Sequence, residues 1–290
     1  MPDWKLGAIF PNRDIAVDRA AIRDWTQAAA GLGYDFIEVS DHVLGVERGA
    51  VGGFNQIYDI DDAFHETFTT LAYMAALADG VELASGVLIL PQRQTALVAK
   101  QAAQLDILCG GRLRLGIGVG WNPVEYEALG EVWATRGRRQ AEQIELMNRL
   151  WTEKSVIFEG DFHTVTASGL NPMPIQRPIP LWFGGSSDAT LRRAAKYGQG
   201  WIPLGGPSEE RVGQLTKLRQ YLRDEGRNPF QFGIEVWIQA GAGGPDEWRR
   251  LADKWAPHTV THVGFYCSGQ EVGPLDKQIA ALEQFKEAMK

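Results

Sequence analysis

Short apolar runs alternate with stretches of helical period from one end of the chain to the other. Eight runs read as strands: Leu6-Phe10, Phe36-Ser40, Leu83-Leu90, Leu113-Val119, Pro180-Phe183, Gly200-Pro203, Phe232-Ile238 and His262-Tyr266. Each is short, rich in β-branched or aromatic residues, and bounded by Gly, Pro or Asp, as expected of strands covered on both faces of a parallel sheet. Between them the apolar period changes. Ile22, Trp25, Ala29 and Leu32 follow the first strand and Ile279, Leu282 and Phe285 the last, spacings that turn one apolar stripe toward a sheet. Gly31 and Gly33, then Gly198 and Gly200, mark helix ends. Alternation of β and α throughout predicts an α/β fold with parallel strands, and eight units without a break in composition favour a closed (β/α)8 TIM barrel over an open doubly wound sheet. A single barrel domain is expected over residues 1–290.

Two insertions break the rhythm. Residues 43–63 carry several glycines and the acids Asp59, Asp61 and Asp62 between the second strand and its helix. In a barrel that connection lies at the C-terminal ends of the strands, where a long loop forms a lid or substrate wall. Residues 155–178 begin with Val156-Val165, which alternates about a Gly-Asp turn like a β-hairpin. Because this insertion precedes a strand, it is expected at the opposite face, in a structural role.

Composition narrows the function classes. The chain has 290 residues, 44% hydrophobic and 22% charged, which is ordinary globular usage. Its 29 basic and 36 acidic residues leave a net charge of −7 without basic runs, so a nucleic-acid surface is not expected. No apolar stretch approaches the ~20 residues of a membrane span, and no signal-peptide core follows Met1, which points to the cytoplasm. Two cysteines, Cys109 and Cys267, cannot build a disulfide framework and read as buried small hydrophobes.

Barrel chemistry is carried just past the C-terminal strand ends. The candidates there are Asp41-His42, Pro91-Gln92, Trp121-Asn122, Gly184-Gly185-Ser186, Gln239 and Cys267-Ser268. Asp41-His42 combines an imidazole that titrates near neutrality with an adjacent carboxylate, the pairing that acid–base work requires; a capping Asp beside a surface His is the bland alternative. Gly184-Gly185-Ser186-Ser187-Asp188 opens a helix after a strand. Its glycines admit a phosphate to the backbone, and the first helical turn supplies donors. An ordinary turn with a serine N-cap has the same sequence. Gly116-Ile117-Gly118-Val119-Gly120-Trp121 lacks the third glycine of a dinucleotide fingerprint. Alternate glycines there clear space for a flat ligand or a neighbouring helix. His42, His65, Asp41, Asp61, Asp62 and Glu66 leave an ion site open, whereas His258 and His262 need not share a helical face.

In this order and at these positions, Glu38-Val39-Ser40-Asp41-His42, Ser85-Gly86-Val87-Leu88, Leu108-Cys109-Gly110-Gly111-Arg112-Leu113 running on to Trp121-Asn122, Pro174-Ile175-Gln176-Arg177-Pro178 and Trp182-Phe183-Gly184-Gly185-Ser186 are fairly specific. The chain resembles the luciferase-like flavin monooxygenase superfamily, and within it the branch that uses the deazaflavin coenzyme F420, from Leu6 to about Met289. The resemblance implies that Asp41 and His42 meet the cofactor, with His42 as the acid or base beside its reactive carbon. It places a non-prolyl cis peptide at Gly86-Val87 against the ring, the phosphate on Gly184, Gly185 and Ser186, and Trp121 and Asn122 in the same cofactor site. Cys109 stands where a serine is usual. Trp121 stands where the sugar-phosphate dehydrogenase branch has its catalytic Glu, which argues against glucose 6-phosphate as substrate.

The implied activity is hydride transfer between F420 and a small organic substrate. An FMNH2-dependent monooxygenase using FMN is the alternative, and a metal-dependent barrel hydrolase or a non-catalytic binder represents another class. The expected partner is a small-molecule substrate, with neither nucleic acid nor membrane; a homodimer stays open.

Overall fold

The computed structural model describes residues 3–52, 57–203, 206–267 and 273–290. Nine parallel segments form one sheet: β1 (Lys5–Ile9), β2 (Phe36–Val39), β3 (Glu82–Ser85), β4 (Leu88–Ile89), β5 (Leu113–Gly118), β8 (Leu181–Gly184), β9 (Gly200–Ile202), β10 (Gly233–Gln239) and β11 (His262–Tyr266). Between β5 and β8 lies an antiparallel hairpin of β6 (Val156–Glu159) and β7 (Thr164–Ser168). The parallel sheet closes on itself. β1 pairs with β2 on one side and β11 on the other, while β3 pairs with β5, so β3 and β4 are the two halves of one barrel strand and eight positions complete the circle among the described residues. All eight expected strands are present.

The helices are α1 (Arg19–Gly31), α2 (Thr67–Ala75), α3 (Thr95–Leu108), α4 (Pro123–Ala128), α5 (Arg136–Thr152), α6 (Asp188–Tyr197), α7 (Glu209–Asp224), α8 (Pro245–Asp253) and α9 (Leu275–Ala288). Among the described residues none is long and apolar enough to cross a membrane. Their apolar faces cover the strands. Trp25, Trp151, Trp255 and the stacked pair Phe265 and Phe285, 4.2 Å apart, are fully buried between the layers. Burying side chains of this size contributes about 1.5–3 kcal/mol each. The caps follow the sequence: Ser187 accepts from the N–H of Thr190 at the start of α6, and Gly33, at φ +74°, turns the chain after α1. Both cysteines are free and buried.

Inside the barrel, side chains take the room that glycines leave. A Cβ on Gly7 would fall 2.0 Å from the ring of Phe36, and one on Gly200 or Gly233 would enter the indole of Trp182. Between these rings lies Arg114, 4.6 Å above Phe36 and 4.4 Å from Trp182. It pairs with Glu82 at 2.6 Å and with Glu235, and approaches Glu38 to 4.0 Å. Burial, reinforced by Glu235, pushes the Glu38 carboxyl well above its usual value. Burial also pushes His262 down to about 2, with Arg114 and Lys5 acting in the same direction.

Three details depart from the sequence reading. The third strand, read as continuous over Leu83-Leu90, breaks at Gly86-Val87, and the break coincides with the non-prolyl cis peptide that the resemblance implies there. The space left by Gly116 and Gly118 is filled by neither helix nor ligand alone: a Cβ on Gly116 would strike the Ser85 carbonyl and one on Gly118 the Val87 side chain, so the adjacent strand leans in. The hairpin is not confined to the opposite face. It runs back along α5, where Glu142 accepts from the N–H groups of Asp161 and Phe162, and His163 bridges Glu142 to Thr95 at the start of α3. The reason is that α5 descends the barrel and the hairpin must climb beside it.

Candidate active site

A cavity of about 380 Å³ opens at the C-terminal ends of the strands. Its floor is Gly86, Val87, Ile89 and Gly118, its far wall Trp237 and Tyr266, and one end is the turn Gly184-Gly185-Ser186-Ser187 with Thr190. At the other end stand His42 and Trp121, with Ile57 and Tyr58 contributed by the long loop. Of that loop, residues 53–56 lie outside the described residues, as does Ser268 of the last strand end.

His42 is placed by contacts on every side. Its ring meets Tyr58, Phe64 and Trp121 with centroids 4.9, 5.0 and 5.3 Å away. Nδ1 faces both carboxylate oxygens of Glu125, at 3.2 and 3.3 Å. Glu125 is fully buried and accepts from the Val43 and Leu44 N–H groups at 2.8 and 3.1 Å and from Gln92 Nε2 at 3.3 Å. Burial alone would raise its pKa. The bonds from His42, Val43 and Leu44 outweigh that and hold the carboxyl below its usual value, so it is an anion facing the imidazole. With the Nδ1 proton directed at Glu125, Nε2 is the atom left for chemistry, and no protein partner takes it among the described residues. On the far side of this aromatic wall lies a second cavity of about 210 Å³, lined by Val43, Leu44, Gly45, Asp62 and Phe64.

Asp41 borders the cavity, but its carboxylate is engaged elsewhere. Oδ1 accepts from Thr67 at 2.9 Å and Arg93 at 2.7 Å, and Oδ2 from the Ile89 N–H at 2.8 Å. Its side chain therefore ties the second strand end to β4. Asn122 is a correction: buried, absent from the cavity lining, it caps α4 by accepting from the Val124 N–H at 3.0 Å. Gly185 lies at φ +102° and its N–H is directed at the Ile202 carbonyl at 3.3 Å, so the open donors of the turn are those of Ser186, Ser187 and the first residues of α6. Among the described residues no group of three or more His, Cys, Asp and Glu, whether from His42, His65, Asp41, Asp61, Asp62 and Glu66 or elsewhere, could hold a metal ion.

Tyr58, Phe64, Trp237 and Tyr266 are site residues that the sequence did not single out. Glu125, which the sequence offers with Glu66 only as a fallback proton group should His42 not serve, enters the site as the partner of His42; it starts a helix in Asn122-Pro123-Val124-Glu125.

The sequence profile of the luciferase-like monooxygenase family matches residues 8–286, nearly the whole chain. The chain belongs to this family. A protein of Mycobacterium tuberculosis described as uncharacterized is 37% identical over 227 residues, covering 77% of each chain. The FMNH2-dependent dimethylsulfone monooxygenase of Pseudomonas putida is 33% identical over 183 residues, 62% of this chain and half of that one. Among solved structures, an F420-dependent secondary alcohol dehydrogenase in complex with an F420-acetone adduct superimposes with a TM-score of 0.81 over 100% of both chains, at 15% identity. That likeness is one of fold, and the family is one of flavin-type oxidoreductases and monooxygenases.

Proposed function

We propose that the protein is an F420-dependent oxidoreductase that moves a hydride between the deazaflavin and a small organic substrate. The observation that carries this reading is the His42–Glu125 pair at the end of the cavity opposite the Gly184–Ser187 turn. The residues present suit a long, flat, phosphorylated cofactor: Gly118 and Gly184 keep side chains off the floor around Val87, and the α6 N-terminus offers N–H donors to a phosphate.

When bound, the deazaflavin supplies or accepts the hydride. The protein must then handle the proton. His42 Nε2 takes it from a substrate hydroxyl during oxidation, or returns it during reduction, while Glu125 fixes the tautomer and stabilises the imidazolium. Tyr58, Phe64 and Trp121 hold the ring and exclude water on that side.

A second reading, an FMNH2-dependent monooxygenase, is favoured by the 33% identity with the dimethylsulfone enzyme. Titration of the protein with F420 and with FMN, oxidised and reduced, followed by absorbance and fluorescence, separates the two. Saturable binding of F420 with weak binding of both FMN forms is expected. Tight FMNH2 binding with oxygen-dependent turnover would replace the first reading by the second.

A further inference from the structure

The barrel interior below the cavity holds more carboxylates than cations. Glu38 on β2, Glu82 on β3 and Glu235 on β10 surround the guanidinium of Arg114 on β5, while His262 on β11 stays neutral and Ile9 is the β1 residue beside Glu38. Arg114 is already engaged. Held between the rings of Phe36 and Trp182, it donates Nε to Glu82 at 2.6 Å and Nη1 to Glu235. Glu235 takes a further donor, Trp237 Nε1, at 2.9 Å.

Glu38 is the member left over. It is 0% exposed, its Oε2 lies 4.0 Å from Arg114 Nη1, and neither carboxyl oxygen has a hydrogen-bond donor among the described residues. A bare carboxylate there would be desolvated, unserved by any donor and close to a like charge, and each of these favours the neutral acid. One proton removes all three difficulties. Glu38 then becomes a donor, and the Glu235 carboxylate is the acceptor that meets it.

The pair touches the cavity at two places. A Cβ on Gly86 would fall 2.1 Å from Glu38 Oε1, so the carboxyl rests on the backbone of a residue that forms the cavity floor. Trp237, the indole that donates to Glu235, stands in the far wall. Whether Glu38 keeps its proton therefore decides whether the floor carries one more negative charge. A unit charge roughly 6 Å from a charged ligand, at an effective dielectric of about 20, changes affinity by about 10- to 100-fold.

We propose that Glu38 and Glu235 share one proton beneath Gly86, and that this proton is a specificity determinant of the cavity: it keeps the floor from repelling a flat ring with delocalised negative charge, as the deprotonated rings of F420 and of reduced FMN carry. The choice of ring rests on reading the cavity as a cofactor site; the shared proton does not.

Infrared spectra of the cofactor-free protein test the proton. At pH 8, where ordinary carboxyls are ionised, the parent minus Glu38→Gln difference should contain the carbonyl stretch of a protonated carboxylic acid. A difference without that band overturns the proposal. The amide introduced is close in shape and still donates to Glu235, so the fold, checked by circular dichroism, should survive; if it does not, the band in the parent at pH 8 carries the same test. Equilibrium titration reads the reach of the charge. Between pH 7.5 and 10 the parent's affinity for F420, or for anaerobically reduced FMN, should fall about 10- to 100-fold as the band disappears, and that of Glu38→Gln should stay flat. Equal pH dependence in the two overturns the proposal. A band that persists to pH 10 moves the comparison to Glu38→Gln against Glu38→Gln/Glu235→Gln at pH 8, where removal of the remaining charge should tighten binding by about the same factor and equal affinities overturn the proposal. Glu38→Gln/Glu82→Gln makes the same change of charge at a partly exposed member if the first double variant does not fold. The band together with no binding of any flavin or deazaflavin would uphold the shared proton and remove the cofactor reading instead.

Discussion

Nδ1 of His42 and the buried carboxylate of Glu125 face each other at 3.2 Å across the mouth of the barrel, one from the end of the second strand and the other from the first turn of α4. The pairing divides the proton chemistry between two residues with different duties. His42→Asn, which cannot titrate near neutrality, should lower kcat by about 10²–10⁴-fold while cofactor affinity holds. Glu125→Gln keeps the shape and removes the charge. It should lower kcat while cofactor affinity holds, because the charge that orients the imidazole and stabilises it when it takes the proton is gone. A steady-state pH series from 5 to 9 on both variants checks this. Parental rates in His42→Asn would remove the histidine from the mechanism.

Cofactor capture should depend on the turn after β8. Gly185 is a poor place to test it, since its φ of +102° would make any side chain a source of strain. Ser186 is better placed, at the cavity end and without a positive φ. Ser186→Glu adds a negative charge where a phosphate is expected and should weaken cofactor binding by about 10²-fold or more with little change in Tm. Equilibrium titration alongside thermal unfolding separates the two effects.

The charged interior makes a stability prediction of definite sign. His262 is held neutral in the folded state, near 2 against its ordinary 6.5, so the unfolded chain takes up a proton that the folded one refuses. Its contribution is therefore intact above pH ~6.5 and is lost as the pH falls, by about 1.4 kcal/mol per pH unit. His262→Phe retains the edge-to-face contact with Trp182, whose ring centroid is 4.8 Å away, and should show a flatter loss of stability between pH 6.5 and 4. Arg114→Met should behave differently. It leaves Glu82 and Glu235 without their cation and should cost about 3–5 kcal/mol at neutral pH. Urea unfolding at several pH values reads both.

His163 fastens the hairpin to the barrel through Glu142 at 2.8 Å and Thr95 at 2.6 Å. His163→Ala should lower stability by about 1–3 kcal/mol, through the two lost partners, and leave kcat nearly unchanged. Hydrogen exchange should rise at Asp161 and Phe162, whose N–H groups depend on the same Glu142.

The barrel was readable because its strands are mostly buried on both faces and several stop at or near a Gly or Pro, as at Pro11, Pro91, Gly184 and Pro203. The Gly184–Ser187 turn was readable because glycine followed by a capping serine has few uses. What the sequence withheld depends on direction. Asp41 looked like a ligand for a cofactor until its two oxygens were found on Thr67, Arg93 and Ile89. Asn122 looked alike and proved a helix cap. Glu125 has the spacing of an N3 acid, and nothing local says that it reaches 83 positions back along the chain to His42 rather than to its own N-cap. Tyr58 and Phe64 sit in a loop with no period at all, where burial is decided by the closed barrel beneath.

The glycines around Val87 bear on how such an enzyme diversifies. Gly118 and Gly184 each face the same valine, with a hypothetical Cβ only 2.7 or 2.8 Å from its methyl groups, so the three positions can change only together. Mutational drift at the floor is thereby arrested, since the first step of any joint change is a clash. In the described part of the loop that follows the second strand, a Cβ on Gly49 or Gly52 would meet nothing within 4 Å, and Ile57 and Tyr58 already reach the cavity from there. New substrate ranges should therefore arise by rewriting that loop over an unchanging floor, and libraries confined to it should yield more active variants per folded clone than libraries spread over the barrel.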